Sequence, residues 1–292
     1  MENVIILTRC VKIFIVASLV SLFIYNLYIL RGSFVILFGY LSSMPGDVTY
    51  VKFVGLAYWA GYVSLTARFI CLVLALTAVF MLWIKGWSFM RVKKLVFAAL
   101  FLEGMYFVGL IPSLWFLFRS GTIAFVPSLG YGYLLQIIFT VPFLWALSYQ
   151  VMKYQTSSQK PILLKFGALA FLGYTTALVA NEVSRWATMI SLESLKFIVG
   201  IRAVGFFNAL AFMPFAIVFA VAGAYRLFQE KELSAMRWFG ASLIVVGLNY
   251  TIYFGYVYFV HALNTLPLVD IWTVPLLGLG IMLILNARKK QG

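Results

Sequence analysis

The chain has 292 residues, of which 64% are hydrophobic, 18% aromatic and only 10% charged, whereas a soluble domain carries roughly 25% charged residues. With a mean hydropathy of +1.02, that balance excludes an ordinary soluble enzyme, a disordered chain and a secreted disulfide scaffold. A formal net charge of +14 would point a soluble protein toward nucleic acid; here the apolar content makes the lipid bilayer the first expected partner, and no nucleic acid is expected.

An apolar run of about 18 to 25 residues crosses a hydrocarbon core of about 30 Å as a helix. Backbone groups cannot stay unpaired in hydrocarbon, so the choice is between helices and a closed barrel. Barrel strands alternate apolar and polar residues, and runs such as LALTAVFMLWI and FAIVFAVAGA do not. The expected fold is therefore all-α: a polytopic transmembrane helix bundle forming a single integral membrane domain over 1–292. About eight spans are expected, at 13–30, 58–84, 95–118, 133–152, 163–190, 203–225, 238–260 and 268–285. Arg9 and Lys12 precede the first run as in a signal peptide. The run is long for one and no A-x-A site follows, so it reads as a retained helix.

Basic residues set orientation. Fifteen of the 22 Lys and Arg fall on one side of this arrangement, in the stretches 9–12, 85–94, 153–165, 226–237 and 288–290. Arg31, Lys52, Arg119, Lys196 and Arg202 fall on the other, and Arg68 and Arg185 within spans. Both termini are expected to be cytoplasmic, in a cell membrane. The basic stretch KGWSFMRVKK reads first as this orientation signal and second as a binder of anionic headgroups.

Most loops are short. The exception is 31–57, expected outside as a loop or cap, where SFVILFGYL is too short to span and SSMPGD marks a turn. The following VTYVKFVGLAYW reads as a hairpin, an interfacial helix, a re-entrant cap or an ordered loop on the headgroups. Ala216, Ala220 and Ala224 form a small-residue stripe suited to close helix packing. Pro112, Pro142, Pro214 and Pro275 fall inside spans, where proline removes a hydrogen bond and bends a helix.

A 4+4 parallel internal repeat, with halves 1–157 and 158–292, is suggested by three ordered pairs. Thr140-Val141-Pro142 resembles Thr273-Val274-Pro275, Leu102-Glu103 with Phe107 and Gly109 resembles Leu248-Asn249 with Tyr253 and Gly255, and Asn26 before Arg31 resembles Asn181 before Arg185. Chance similarity in such apolar sequence is the competing explanation.

Ionisable residues within spans are the candidates for function, because their burial costs free energy. Glu103 lies nine residues beyond Lys94, about 13 Å deep at 1.5 Å per residue. It reads as a protonatable or cation-binding group, or as a carboxyl holding helices together through Asn249 or a tyrosine. Asn249, about 18 Å beyond Arg237 by the same rise, is its counterpart in the repeat. Arg68 is about 25 Å from Lys85 and is placed with Glu182, Arg185, Arg202, Asn181, His261 and Asp270 near the outer boundary. That group reads as a vestibule for an anionic solute or headgroup. Its plainer reading is snorkelling, with Arg68 or Arg202 paired to Glu182 or Asp270. Asn208 and Gln136 lie between the two levels, either lining a path or acting as interhelical glue.

Absent motifs narrow the chemistry. His261 is the single histidine, so H-E-x-x-H zinc chemistry lacks a ligand and no metal or haem is expected. No mid-span lysine is available for a retinal Schiff base, and no Walker A or complete dinucleotide fingerprint occurs, so no cofactor is expected. Cys10 and Cys71 lie at different depths, which argues against a disulfide. The sequence thus points first to a secondary transporter or permease for a small solute or ion. The alternatives are a non-catalytic subunit of a membrane complex or lipid-organising protein, and third a membrane-embedded lipid enzyme.

Overall fold

In an apolar solvent each segment has to satisfy its own backbone hydrogen bonds, and the chain does so with helices. The computed structural model describes residues 2–35, 48–119, 127–192, 201–261 and 273–290. They form α1 (Glu2–Val35), α2 (Val48–Trp83), α3 (Phe89–Arg119), α4 (Pro127–Lys153), α5 (Lys160–Leu192), α6 (Ile201–Phe228), α7 (Glu232–His261) and α8 (Thr273–Lys289). A short 3₁₀ turn at Ser157–Gln159 precedes α5, and no strand occurs among the described residues. Within them, five stretches are long and apolar enough to cross a membrane: Thr8–Arg31, Gly55–Trp83, Phe89–Ser113, Ser157–Ala180 and Leu210–Phe228.

The helices overrun the expected spans by about one to three turns at about half of their ends, chiefly the N-terminal ones, since hydropathy marks only the part of a helix that suits hydrocarbon. Val48–Ala57 differs more: it is the start of α2 rather than a hairpin or separate cap. Its β-branched and aromatic residues join the helix that follows, which leaves no strand edge unpaired. Residues 36–47, containing most of SFVILFGYL and the SSMPGD turn, lie outside the described residues, as does 268–272 at the start of the eighth expected span.

Side-chain size sorts the two faces. On α2, Val63, Ile70, Val73 and Phe80 are exposed, while Ala57, Ser64, Arg68, Cys71 and Ala78 are buried. Large apolar residues dominate the outward face, and small or polar ones, with Leu65 and Leu72, the inward face, an arrangement suited to hydrocarbon outside and close packing inside. Ala216, Ala220 and Ala224 are all buried, and Ser242 Oγ donates to the Ala216 carbonyl at 2.8 Å.

Among the described residues each helix packs against its neighbours in the chain, and α8 returns to α1. The result is a closed ring. Two close approaches shape its last joints. A Cβ on Gly280 would sit 2.5 Å from the Gly240 carbonyl oxygen, which lets α7 and α8 touch backbone to backbone, and the ring of Phe14 on α1 fills the space beside Gly278. At the α3–α4 joint, Ser148 and Trp145 donate to the carbonyls of Phe97 and Phe101 at 3.2 and 3.3 Å.

Candidate functional site

The site begins with a hairpin. The α2–α3 turn is tight, and Gly86 takes φ +66 in it, a region open to glycine at little cost. Arg68 stands fifteen residues before the end of α2 at Trp83, and Glu103 fourteen after the start of α3 at Phe89. The two are therefore level, near the middle of the apolar stretches Gly55–Trp83 and Phe89–Ser113.

Arg68 Nε lies 3.4 Å from Glu103 Oε1, with both side chains largely shielded. The pair is an ion contact rather than an aligned hydrogen bond, since Arg68 Nε has no hydrogen-bond acceptor. Tyr106, one turn along α3 from Glu103, places its ring 4.6 Å from the guanidinium carbon, a cation–π distance. Tyr174 on α5 accepts from Arg68 Nη2 at 3.4 Å and meets Phe107 edge-on, ring centroids 6.0 Å apart. Cys71, one turn from Arg68 on α2, also interacts with Glu103. A central polar cluster thus joins α2, α3 and α5.

Beside it is a cavity of about 350 Å³ inside the ring. Its wall is mostly apolar, with Leu19, Leu22, Leu72, Phe171, Leu178, Leu243, Val246 and Leu276; Glu103, Tyr174, Thr175, Cys71 and Ser18 supply the polar positions. Ser18 Oγ is already committed to the Phe14 carbonyl at 2.8 Å. Glu103 is the one carboxylate among the described residues of the wall.

A second buried polar contact lies farther along α5. Glu182 accepts from the Tyr250 hydroxyl of α7 at 2.8 Å, beside an apolar cluster of Val179, Met213, Ala216 and Val246.

Sequence-expected residues therefore separate. Arg68, placed in the outer group with Glu182 or Asp270 as partner, instead pairs with Glu103. Lys85 lies beyond the end of α2 and Lys94 five residues inside α3, so depths measured from these two residues are not on one scale. Counting both from the shared turn brings them together. Asn249 is buried on α7 but does not reach Glu103: among the described residues α3 and α7 make no close approach, and Asn249 is not among the described residues of the cavity wall. Asn26 is structural, donating to the Leu65 carbonyl at 3.2 Å between α1 and α2. Gln136, Arg185, Arg202 and Asn208 stand on α4, α5 and α6, with side chains outside the described residues, as are those of Asn181 and His261; Asp270 lies outside them altogether.

Tyr106, Tyr174, Cys71 and Tyr250 were not singled out from the sequence. Tyr106 and Cys71 carry the signal of standing one turn from Glu103 and Arg68. Tyr174, Leu178 and Glu182 recur every four residues, which puts both polar contacts on one face of α5. No family model, curated protein or solved structure matches the chain.

Among the described residues no group of three or more His, Cys, Asp or Glu is arranged to hold a metal ion. What the cluster can do is exchange partners: the Glu103 carboxylate can take a proton or a ligand's donor while Arg68 keeps Tyr174 and Tyr106.

Proposed function

We propose that the chain is an eight-span protein of a cell membrane, with both termini cytoplasmic, that acts as a permease for a small amphipathic solute. The observation that carries this reading is the cavity inside the helix ring with Glu103 on its wall at mid-span. An ion pair in that position costs desolvation, and a role in loading a solute or proton accounts for keeping it.

The chemistry of the wall supports a particular kind of solute. A sugar needs many hydrogen-bond partners, because each polar group buried without one is penalised. Among its described residues this wall is largely hydrocarbon with one carboxylate, which suits an apolar body with a single donor group. As that donor, or a proton, engages Glu103, the Arg68 contact weakens and the guanidinium turns to Tyr174 and Tyr106. The hairpin α2–α3 can then shift against α5.

Thermal-shift screening of the purified protein against ions, amino acids, sugars and lipids, followed by uptake into proteoliposomes, tests the reading. The expected result is uptake of a stabilising solute by the wild type that Glu103→Gln abolishes or strips of its pH dependence. Full activity and pH dependence in Glu103→Gln removes the residue from the mechanism. If no stabilising solute is taken up, the permease reading falls and that of a non-catalytic membrane subunit replaces it. Opposite-side labelling of cysteines placed at the two chain ends would overturn the topology.

A further inference from the structure

A second feature lies apart from the central cavity, on the outside of the ring where α1 and α2 meet. In the Thr8–Arg31 stretch of α1 only Asn26 is fully buried among the described residues, so this helix leaves much of its surface to the surroundings. Between it and α2 runs a groove of about 390 Å³ formed by Val16, Leu76, Val79, Phe80, Trp83 and Ile84 with Thr77. The hydroxyl of Thr77 is turned to its own helix, donating to the Val73 carbonyl at 2.8 Å. Among its described residues the groove therefore offers hydrocarbon and an indole face but no free polar handle. Its length along α2, from Leu76 to Ile84, spans about 12 Å at 1.5 Å per residue, enough to seat part of one acyl chain.

Its mouth is cationic. Lys12 Nζ stands 5.6 Å from the centroid of the Trp83 ring, so the indole that walls the groove also holds a charge above it. Lys85 follows directly on Trp83 and Ile84, and Arg9 is one turn before Lys12; all three are exposed. The nearby start of α3 adds Arg91 and Lys94. Of the carboxylates at this end of the ring, Glu230 and Glu232 stand across it, engaging Lys165 and Lys160 at 3.6 and 3.5 Å, while Glu2 lies at the start of α1, seven residues before Arg9, with its side chain outside the described residues. Hydrocarbon below and an excess of cations above together match an amphiphile with an anionic head. A zwitterionic headgroup would bring its own cation against these residues.

We propose that the α1–α2 groove binds one anionic phospholipid of the surrounding bilayer, with an acyl chain along Val16, Leu76 and Phe80 and the phosphate at Arg9, Lys12 and Lys85. The inference needs the membrane placement of the chain but not the permease reading, and its test uses no transport assay.

The experiment is lipid retention by the purified full-length protein, read by native mass spectrometry and by thermal shift. The probes are phosphatidylglycerol and phosphatidylcholine of identical chains. The wild type is expected to retain phosphatidylglycerol preferentially. The double variant Lys12→Gln/Lys85→Gln is expected to lose about 25-fold in apparent affinity for it, as follows from about 1 kcal/mol for each near-surface charge, while keeping its weak hold on phosphatidylcholine. Val79→Trp, which fills the groove, is expected to weaken retention of both. Equal retention of the two lipids by the wild type overturns the proposal. So does an equal loss in Lys160→Gln/Lys165→Gln on the far side of the ring, which would make the preference a bulk attraction to the basic face. Should the Lys12→Gln/Lys85→Gln protein not fold, the wild-type comparison and Val79→Trp decide.

Discussion

Arg68 Nε stands 3.4 Å from Glu103 Oε1, an opposite-charge contact between adjacent helices at the middle of two apolar spans. Its energetics are lopsided. Removing one partner leaves the other charge buried without compensation, at a cost of about 3–5 kcal/mol. Replacing both by apolar residues removes the burden of burying them. Arg68→Met and Glu103→Leu are therefore each expected to lower thermal stability in micelles strongly, and the double variant to recover most of the loss. A double variant that melts as low as the sum of the singles would mean that the two residues are not energetically coupled. Under the permease reading, the recovered double variant remains inactive, which separates the structural from the functional share of the pair.

The Glu182–Tyr250 contact is a buried hydrogen bond between α5 and α7 at 2.8 Å. Tyr250→Phe keeps the ring and deletes the donor. The expected loss is about 1–3 kcal/mol, the penalty for an acceptor left short of a partner, measured as a shift in the unfolding midpoint. An unchanged midpoint would show that the other interactions of Glu182 satisfy it.

Helix contacts in the ring depend on where glycine is used. Gly280→Ala would push a methyl group to 2.5 Å from the Gly240 carbonyl oxygen; separating α7 from α8 is expected to cost about 1–3 kcal/mol. Gly167→Ala meets nothing within 4 Å and is expected to stabilise α5 by up to about 1 kcal/mol through helix propensity. Opposite signs in thermal denaturation are the outcome to look for. A destabilised Gly167→Ala would count against the packing described for α5.

At the end of α6, Glu230 adopts φ 62. Its amide donates to Leu227 O at 2.9 Å, and that of Lys231 to Arg226 O at 3.0 Å, a Schellman closure in which glycine is the usual residue. A left-handed conformation costs a side-chain-bearing residue roughly 1–2 kcal/mol. The contact of Glu230 with Lys165 is exposed and offsets little of that. Glu230→Gly is expected to raise the midpoint by the equivalent of about 1 kcal/mol. A fall would assign the Lys165 contact more weight than its exposure suggests.

The candidate site was legible in part. Glu103 and Arg68 stand out in the sequence because ionisable groups within apolar runs are rare and costly. That they meet was hidden by measuring depth from Lys94 and Lys85 rather than from the ends of the helices at their shared turn. Tyr174 and Tyr250 were hidden among 17 tyrosines, most of which are as well explained by interfacial anchoring. Asn249 shows the opposite error: resemblance between two apolar segments suggested a meeting with Glu103, but α3 and α7 occupy separated positions in the ring.

Composition and uninterrupted apolar runs were sufficient for the all-helical class, because in hydrocarbon the backbone's demand for internal hydrogen bonds leaves few structures to choose among. They also located the helices, for the same reason. Partners were another matter. On helices that are apolar all round, no hydrophobic stripe says which face turns inward, and lipid solvates a leucine as well as another leucine does. Small residues, glycine contacts and a few buried polar groups make that choice, and they act only once helices are side by side. Closure of α8 onto α1, the meeting of Arg68 with Glu103 and Tyr174, and the cavity beside them were decided there.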